Sequence, residues 1–276
     1  CVSWVRRCVS TYGLTGSDDF TNYYTKLYYS TIPYYSITGF TLNGLYNPGL
    51  KWEVIKQRNV GLDLGMFRER LIINADWYMY TTDDMITYTS LPKYYGFNDY
   101  MTNGGSCQNK GFEFSAYGKI VNRTFKWVLS TNFSKYENKV LSLPDDQVIT
   151  RFEGGEKISR VGESMGLFYG YRSLGVISTQ QEADQLNLLD KAGRKFNAGD
   201  IWFDDLDDNG IIDEKDKTII GNPHPDFIMG LYNKCSFKGL SLSFFLQYNK
   251  GTDLFNYIRS QIESMDGLEN QSTAVY

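Results

Sequence analysis

"NVGLDLGMFRERLIINADWYMY", Asn59 to Tyr80, decides the fold. Val60, Leu62, Leu64 and Met66 alternate with Asn59, Gly61, Asp63 and Gly65. After a polar turn at Arg68-Glu69, Leu71, Ile73, Ala75, Trp77 and Met79 oppose Ile72, Asn74, Asp76 and Tyr78. A period of two is the signature of a strand, whose successive side chains point to opposite faces. A carboxylate in mid-strand belongs in water, so Asp63 and Asp76 mark the wet face of a hairpin.

The pattern recurs further along the chain. "GFEFSAYGKI" sets Phe112, Phe114, Ala116 and Ile120 against Glu113, Ser115 and Lys119. A turn at Val121-Asn122-Arg123 leads into "TFKWVLSTNFSKYENKV", with Phe125, Trp127 and Leu129 on one face. "DFIMGLYNKCSF" turns at Lys238-Gly239 into a strand where Leu240, Leu242, Phe244 and Leu246 oppose Ser241, Ser243 and Gln247. These are three hairpins with short turns and strands of roughly ten residues. Long connections join the other strand ends, over about 13–50, 85–110 and 144–225. Short turns at one end and long loops at the other fit an all-β, antiparallel transmembrane β-barrel better than a β-sandwich, which rarely carries so long a structureless loop. Within the longest connection "STQQEADQLNLLDKAGRK" reads as a short helix through Ala183 and Leu186, reaching toward Leu189-Asp190 and stopping by Gly193.

Composition narrows the function classes. The 276 residues carry a net charge of -4 with no Lys/Arg run, which argues against nucleic acid as the main partner and against a polybasic membrane patch. Aromatics make up 16% of the chain, 22 of them Tyr, which suits a sugar-binding surface or a barrel with aromatic girdles. Cys1, Cys8, Cys107 and Cys235 form neither a zinc pattern nor a redox pair, and their spacing argues against a disulfide framework. Cys1 is read as an ordinary residue before a strand rather than a lipidated terminus. No run is long and apolar enough for a transmembrane helix, a test that barrel strands escape. The chain starts without Met and is expected to be part of a longer protein.

The longest connection holds "DLDDNGIIDEKD". On the twelve-residue EF-hand template Asp205, Asp207 and Asn209 take positions one, three and five. Gly210 stands at the sharp turn, Ile211 offers its carbonyl, Ile212 is the apolar anchor, Asp213 stands at nine and Asp216 at twelve. Because the loop supplies every ligand itself, flanking helices are not needed. The expected cofactor is a divalent cation, calcium before magnesium. Asp216 stands where calcium sites usually have Glu, and its shorter side chain lets magnesium compete. The competing reading is a solvated acidic turn.

Catalysis finds no support. His224, the lone histidine, sits between prolines in "NPHP" and reads as a turn residue; no nucleophile elbow or HExxH occurs. Tyr34 and Tyr35, with Tyr94 and Tyr95 in "KYYGF", are candidates for stacking on sugar rings. Packing between loops, or an aromatic girdle, would use the same residues.

Several motifs in order along the chain are similar to the C-terminal half of SusC/RagA-family TonB-dependent outer-membrane transporters. They are "STYGLTGSDDFTNY", "NPGLKWEVIKQRNVGLDLGMFRERLIINADWY", "NKGFEFSA", "GLFYGYRSLGV", "GDIWFDDLDDNGIIDEKDKTIIGNPHPDF" and "ENQSTAVY". The resemblance implies a plugged barrel of about 22 strands. It also implies import of oligosaccharides or peptides driven through TonB, a SusD-like lipoprotein partner, and a setting in outer-membrane lipid. On that reading residues 1–276 are a partial barrel, 144–226 a long extracellular loop carrying the acidic segment 205–216, and the plug and last strands lie outside the chain. The protein is then a non-enzymatic importer segment that cannot transport alone. The alternative is a secreted, calcium-stabilised glycan-binding β-sandwich. The two differ in whether the apolar strand faces are exposed or buried between sheets.

Overall fold

The computed structural model describes residues 5–17, 29–35, 37–42, 45–92, 94, 96–97, 99–264 and 270–275. Its strands are β1 (Val5–Ser17), β2 (Tyr29–Tyr34), β3 (Ile37–Leu42), β4 (Glu53–Met66), β5 (Leu71–Ser90), β6 (Asp99–Asn122), β7 (Phe125–Ser142), β8 (Gln147–Phe152) and β9 (Gly155–Arg160). These are followed by β10 (Leu167–Tyr171), β11 (Ser173–Val176), β12 (Leu189–Asp190), β13 (Ile201–Phe203), β14 (Ile211–Ile212), β15 (Lys217–Gly221), β16 (Phe227–Phe237) and β17 (Leu240–Lys250). Two short helices, α1 (Gln180–Leu186) and α2 (Tyr257–Ile262), complete the regular structure. The chain divides into two compact units. The first contains Cys1–Val148, Arg160–Met165 and Pro225–Lys250, and the second contains Ile149–Ser159, Gly166–His224 and Gly251–Tyr276.

The first unit is built on one seven-stranded antiparallel sheet in the order β1-β4-β5-β6-β7-β16-β17, with β2 and β3 as a separate hairpin. Its register sorts the side chains into two chemically distinct faces. Leu62, Ala75, Phe114, Phe133, Met229 and Tyr248 form one transverse row; Leu64, Ile73, Ala116, Thr131, Leu231 and Leu246 form the next. On the opposite face Asp63, Asn74, Ser115, Asn132, Gly230 and Gln247 line up. The faces assigned to Asp76, Glu113 and Ser243 follow the same parity.

No second sheet covers the apolar face among the described residues. Leu240 is 78% exposed, Leu242 66% and Leu246 58%. That overturns the sandwich alternative, which needs these side chains buried. Along β17 the apolar run from Leu240 to Tyr248 ends at Lys250. At about 3.4 Å per residue its nine residues span roughly 27 Å along the strand, the length a tilted membrane strand requires. A row of Arg58, Met79, Lys110 and Glu137 closes the band on the central strands, and Lys110 pairs with Glu137 at 3.0 Å.

The short turns carry their own backbone signatures. Lys238 (φ 45°) and Gly239 (φ 87°) both lie in the left-handed region, the two-residue hairpin turn that glycine favours. Phe67, Arg68 and Glu69 make three consecutive left-handed residues, φ 56°, 57° and 61°, between β4 and β5. Asn122 still pairs with Lys126, so the next turn lies at Arg123-Thr124 rather than at 121–123.

Two expectations are corrected at the far end of this sheet. The strands exceed ten residues, and the connection placed at 85–110 is mostly strand: β5 runs to Ser90 and β6 starts at Asp99. A bulge between Thr82 and Met85, with Asp84 at φ 55°, interrupts the alternation there. It is stitched in place by the Ile86 N–H donating to the Glu53 carboxylate (2.8 Å) and the Asn103 amide donating to the Asp84 carbonyl (2.7 Å).

The second unit is far from a structureless loop. A four-stranded sheet in the order β15-β10-β9-β8, a β11-β13 pair and a parallel β12-β14 pair surround buried Ile158, Leu167, Ile177, Ala183, Leu188 and Ile212. Thr179 caps α1 by accepting from the Glu182 N–H. The helix ends at Asn187, which adopts the left-handed conformation (φ 48°), and does not continue to Gly193; Leu189-Asp190 pairs as strand instead. No helix among the described residues is long and apolar enough to cross a membrane, a test that says nothing of strands.

Candidate functional site

The acidic segment folds as a tight loop in the second unit. Asp208 (φ 54°) and Gly210 (φ 77°) supply the left-handed steps that reverse the chain. The Asp205 carboxylate accepts from the N–H groups of Asn209 (3.2 Å) and Gly210 (2.7 Å). Asp216 is fully buried; one oxygen accepts from Leu206 N–H (2.9 Å) and the other from Asp213 N–H (2.7 Å), closing the loop end to end. Asp213 reciprocates by accepting from Lys215 N–H, so the two acids cap the short 3-10 turn Glu214–Asp216. The parallel pairing of Leu189 with Ile211, reinforced by the Leu189 N–H on the Gly210 carbonyl (2.9 Å), fixes the loop to the segment after α1.

Three of the six expected ligand residues converge: carboxylate oxygens of Asp205, Asp207 and Asp216 all lie within 4.8 Å of one another. Asn209 turns its side-chain oxygen to Ile211 N–H (2.7 Å), and Asp213 is occupied with the cap. Lys215 approaches Asp207 at 3.9 Å, an ammonium at the position a cation would relieve. An all-oxygen donor set of this density fits a hard divalent ion.

A second electrostatic feature adjoins the loop in sequence. Lys217, only 11% exposed, bridges Glu156 on β9 (2.8 Å) and Glu214 (2.7 Å). Burial alone would push its ammonium down, but the hydrogen bonds from the two carboxylates outweigh it and push it up to about 12. Lys217 in turn holds both carboxyls below the usual range. The clamp ties the end of the acidic loop to the small sheet. Only the tertiary pairing of β9, β10 and β15 reveals it, since 61 residues separate Lys217 from Glu156.

Of the tyrosine candidates, two have described side chains. Tyr35 and Tyr94 are 93% and 80% exposed; the Tyr34 side chain and Tyr95 lie outside the described residues. His224 follows a turn in which its N–H donates to the Asn222 side chain (2.9 Å), as its flanking prolines suggested. Cys8, Cys107 and Cys235 are free thiols.

Comparison with known proteins agrees with the register. The family described as "TonB dependent receptor-like, beta-barrel" matches residues 11–215. TonB-dependent receptor P3 of Formosa agariphila is 34% identical over 267 residues, covering 92% of this chain and 26% of its own length. TonB-dependent receptor SusC of Bacteroides thetaiotaomicron is 33% identical over 226 residues, covering 77% of this chain and 20% of its own length. The solved RagAB peptide importer in its closed-closed state superposes with a TM-score of 0.74 at 25% identity, over 96% of this chain and 29% of that one. The chain thus spans about a quarter of the length of these relatives. An exposed apolar strand face of membrane height, a polar opposite face and this sequence kinship have one common explanation: the chain belongs to the TonB-dependent receptor β-barrel family, in its SusC/RagA branch.

Proposed function

We propose that this chain is a stretch of the wall of an outer-membrane importer of oligomeric nutrients, glycans or peptides, energised through TonB and working with a SusD-like surface lipoprotein. The observation that carries this reading is the seven-stranded sheet, whose apolar face is uncovered over the height of a bilayer core while the other face is polar. In lipid every backbone polar group must find a partner, so the sheet's outer strands β1 and β17 require further strands on either side. Closure with the rest of the protein supplies them, and these residues alone do not transport. The apolar face meets lipid and the polar face lines the interior.

In this reading the acidic loop binds a divalent cation, calcium first, through Asp205, Asp207 and Asp216. The ion pins the second unit's loop so that it can meet substrate or lipoprotein, with no catalytic part. The relatives' names describe receptors and importers rather than enzymes, which supports a non-enzymatic role.

Two measurements on the full-length protein test these statements. Uptake of labelled oligomers by cells should vanish when TonB is deleted, and the protein should co-purify with a surface lipoprotein. TonB-independent uptake would overturn the energised-import reading. Calorimetric titration with calcium should show a site that Asp205→Ala combined with Asp207→Ala abolishes. Equal heats from both proteins would leave only an acidic turn.

A further inference from the structure

The polar face of the seven-stranded sheet carries a constellation that import as such does not explain. On either side of the row that closes the apolar band, Tyr78 and Tyr80 of β5 stack with ring centroids 5.0 Å apart and planes 17° apart. With Tyr136, Asn109, Asp76 and Glu113 they line an open cavity of about 570 Å³. The register explains the gathering: Asp76 pairs with Glu113, Tyr78 with Gly111 and Gly111 with Tyr136, and Tyr80 with Asn109. Gly111 is required at its position, because a Cβ there would strike the Tyr78 ring and hydroxyl. The far end of the Tyr78 ring therefore reaches over Gly111 of the neighbouring strand. Asn138 donates to the Asn109 oxygen at 2.7 Å, which fixes that amide and makes its NH2 the donor toward the cavity's contents.

We propose that this wall is a binding platform for a neutral saccharide, making the transported oligomer a neutral glycan. The inference rests on the import reading, since it names the substrate class of that transporter. Flat aromatic rings match the C–H faces of sugar rings. The carboxylates of Asp76 and Glu113 are acceptors for hydroxyl donors, and hydrogen bonds to an ionised acceptor are the strong kind. No described residue lining the cavity is Lys or Arg. Two carboxylates without a cation repel sulfated or uronic chains and leave neutral ones. An extended peptide cannot add here as a further strand, because β5, β6 and β7 are each paired on both sides.

The test uses the full-length transporter in detergent and its variants. Each is checked for a folded barrel by heat-dependent electrophoretic mobility. Three fluorescent probe sets are used: neutral hexasaccharides from partial hydrolysis of cellulose, xylan, mannan, starch and laminarin; hexagalacturonate; and a hexapeptide library. The wild type should retain at least one neutral hexasaccharide and neither of the other sets. Tyr78→Ala with Tyr80→Ala should weaken that binding about tenfold, while Tyr78→Phe with Tyr80→Phe should stay within about threefold of wild type, because the stack survives. Asp76→Asn with Glu113→Gln should weaken neutral binding and admit hexagalacturonate. Retention of peptide or uronate alone by the wild type, retention of no probe, or undiminished binding by the alanine pair would each overturn the proposal. Cell uptake separates this failure from that of the import reading. Energised uptake that ignores the alanine pair sinks only the saccharide platform; absence of any energised uptake sinks the transporter.

Discussion

Asp216 is the fully buried carboxylate of the acidic loop, and its two oxygens accept from two backbone N–H groups. Hydrogen bonds to a charged group are worth about 1.5–3 kcal/mol each, so Asp216→Ala should destabilise the loop by about 3 kcal/mol or more. Lost hydrogen-exchange protection across residues 205–216 of the full-length protein would measure this. Asp207 behaves differently. It is exposed and faces Lys215 at 3.9 Å. Asp207→Asn should stabilise the loop without calcium, because it removes two carboxylate repulsions, but weaken calcium binding measurably. At 4.8 Å each carboxylate pair repels by roughly 3.5 kcal/mol at an effective dielectric near 20, before relaxation, which is the energy a bound cation relieves. The residue types of this loop were legible in sequence because the template fixes each by position. The local bonds that occupy Asn209 and Asp213 were not, since each is chosen by the loop's actual φ and ψ values.

Elements add two further tests. Three left-handed residues in a row, Phe67, Arg68 and Glu69, each carry a Cβ where glycine would fit better. Such a residue costs roughly 1–2 kcal/mol, so Glu69→Gly should stabilise the β4–β5 hairpin by about 1 kcal/mol, read from the denaturant midpoint of the full-length protein. The Lys217 clamp gives a pH signature. Glu156 and Glu214 are held below their usual 4.5 by Lys217, so their contribution is present above that value and is lost as pH falls through the depressed folded values. Lys217 itself is raised from 10.5 to about 12, so its contribution is whole below 10.5 and is lost as pH rises through about 12. Intrinsic-rate-corrected exchange protection on β9 and β15 should therefore weaken below about pH 4.5, and Lys217→Met should remove most of that dependence. Strand alternation made the hairpins readable. It failed beyond Thr82 because the bulge at Asp83-Asp84 shifts the phase, and the pattern then resembles a loop. The helix boundary was misplaced because Asn187 takes the left-handed stop that Gly193 offered in sequence.

For the whole molecule, the two faces of the sheet make opposite predictions for one substitution. Leu246→Arg on the apolar face should cost about 2–4 kcal/mol in a bilayer, whereas Ser243→Arg on the polar face should cost about 0–1 kcal/mol. Folding titrations of the full-length protein in lipid vesicles would read both, and equal costs would contradict the assignment of faces. The barrel class was legible because its criterion is local, a period of two with charges on a single side. The second unit was not, because Leu167 pairs with Ile158 and Tyr169 with Ile219 only after the chain returns on itself. The bulge between Thr82 and Met85 has a mechanical meaning. Beyond it Met85–Ser90 remains paired with residues 99–105, forming a stiff blade of roughly 20 Å. A pivot of about 10° at the bulge would sweep the blade's tip through roughly 3.5 Å, comparable to the 3.4 Å rise of one strand residue. The reach of the β5–β6 hairpin is thereby governed by an angle at a joint, and Glu53 and Asn103 act as the pins that set it.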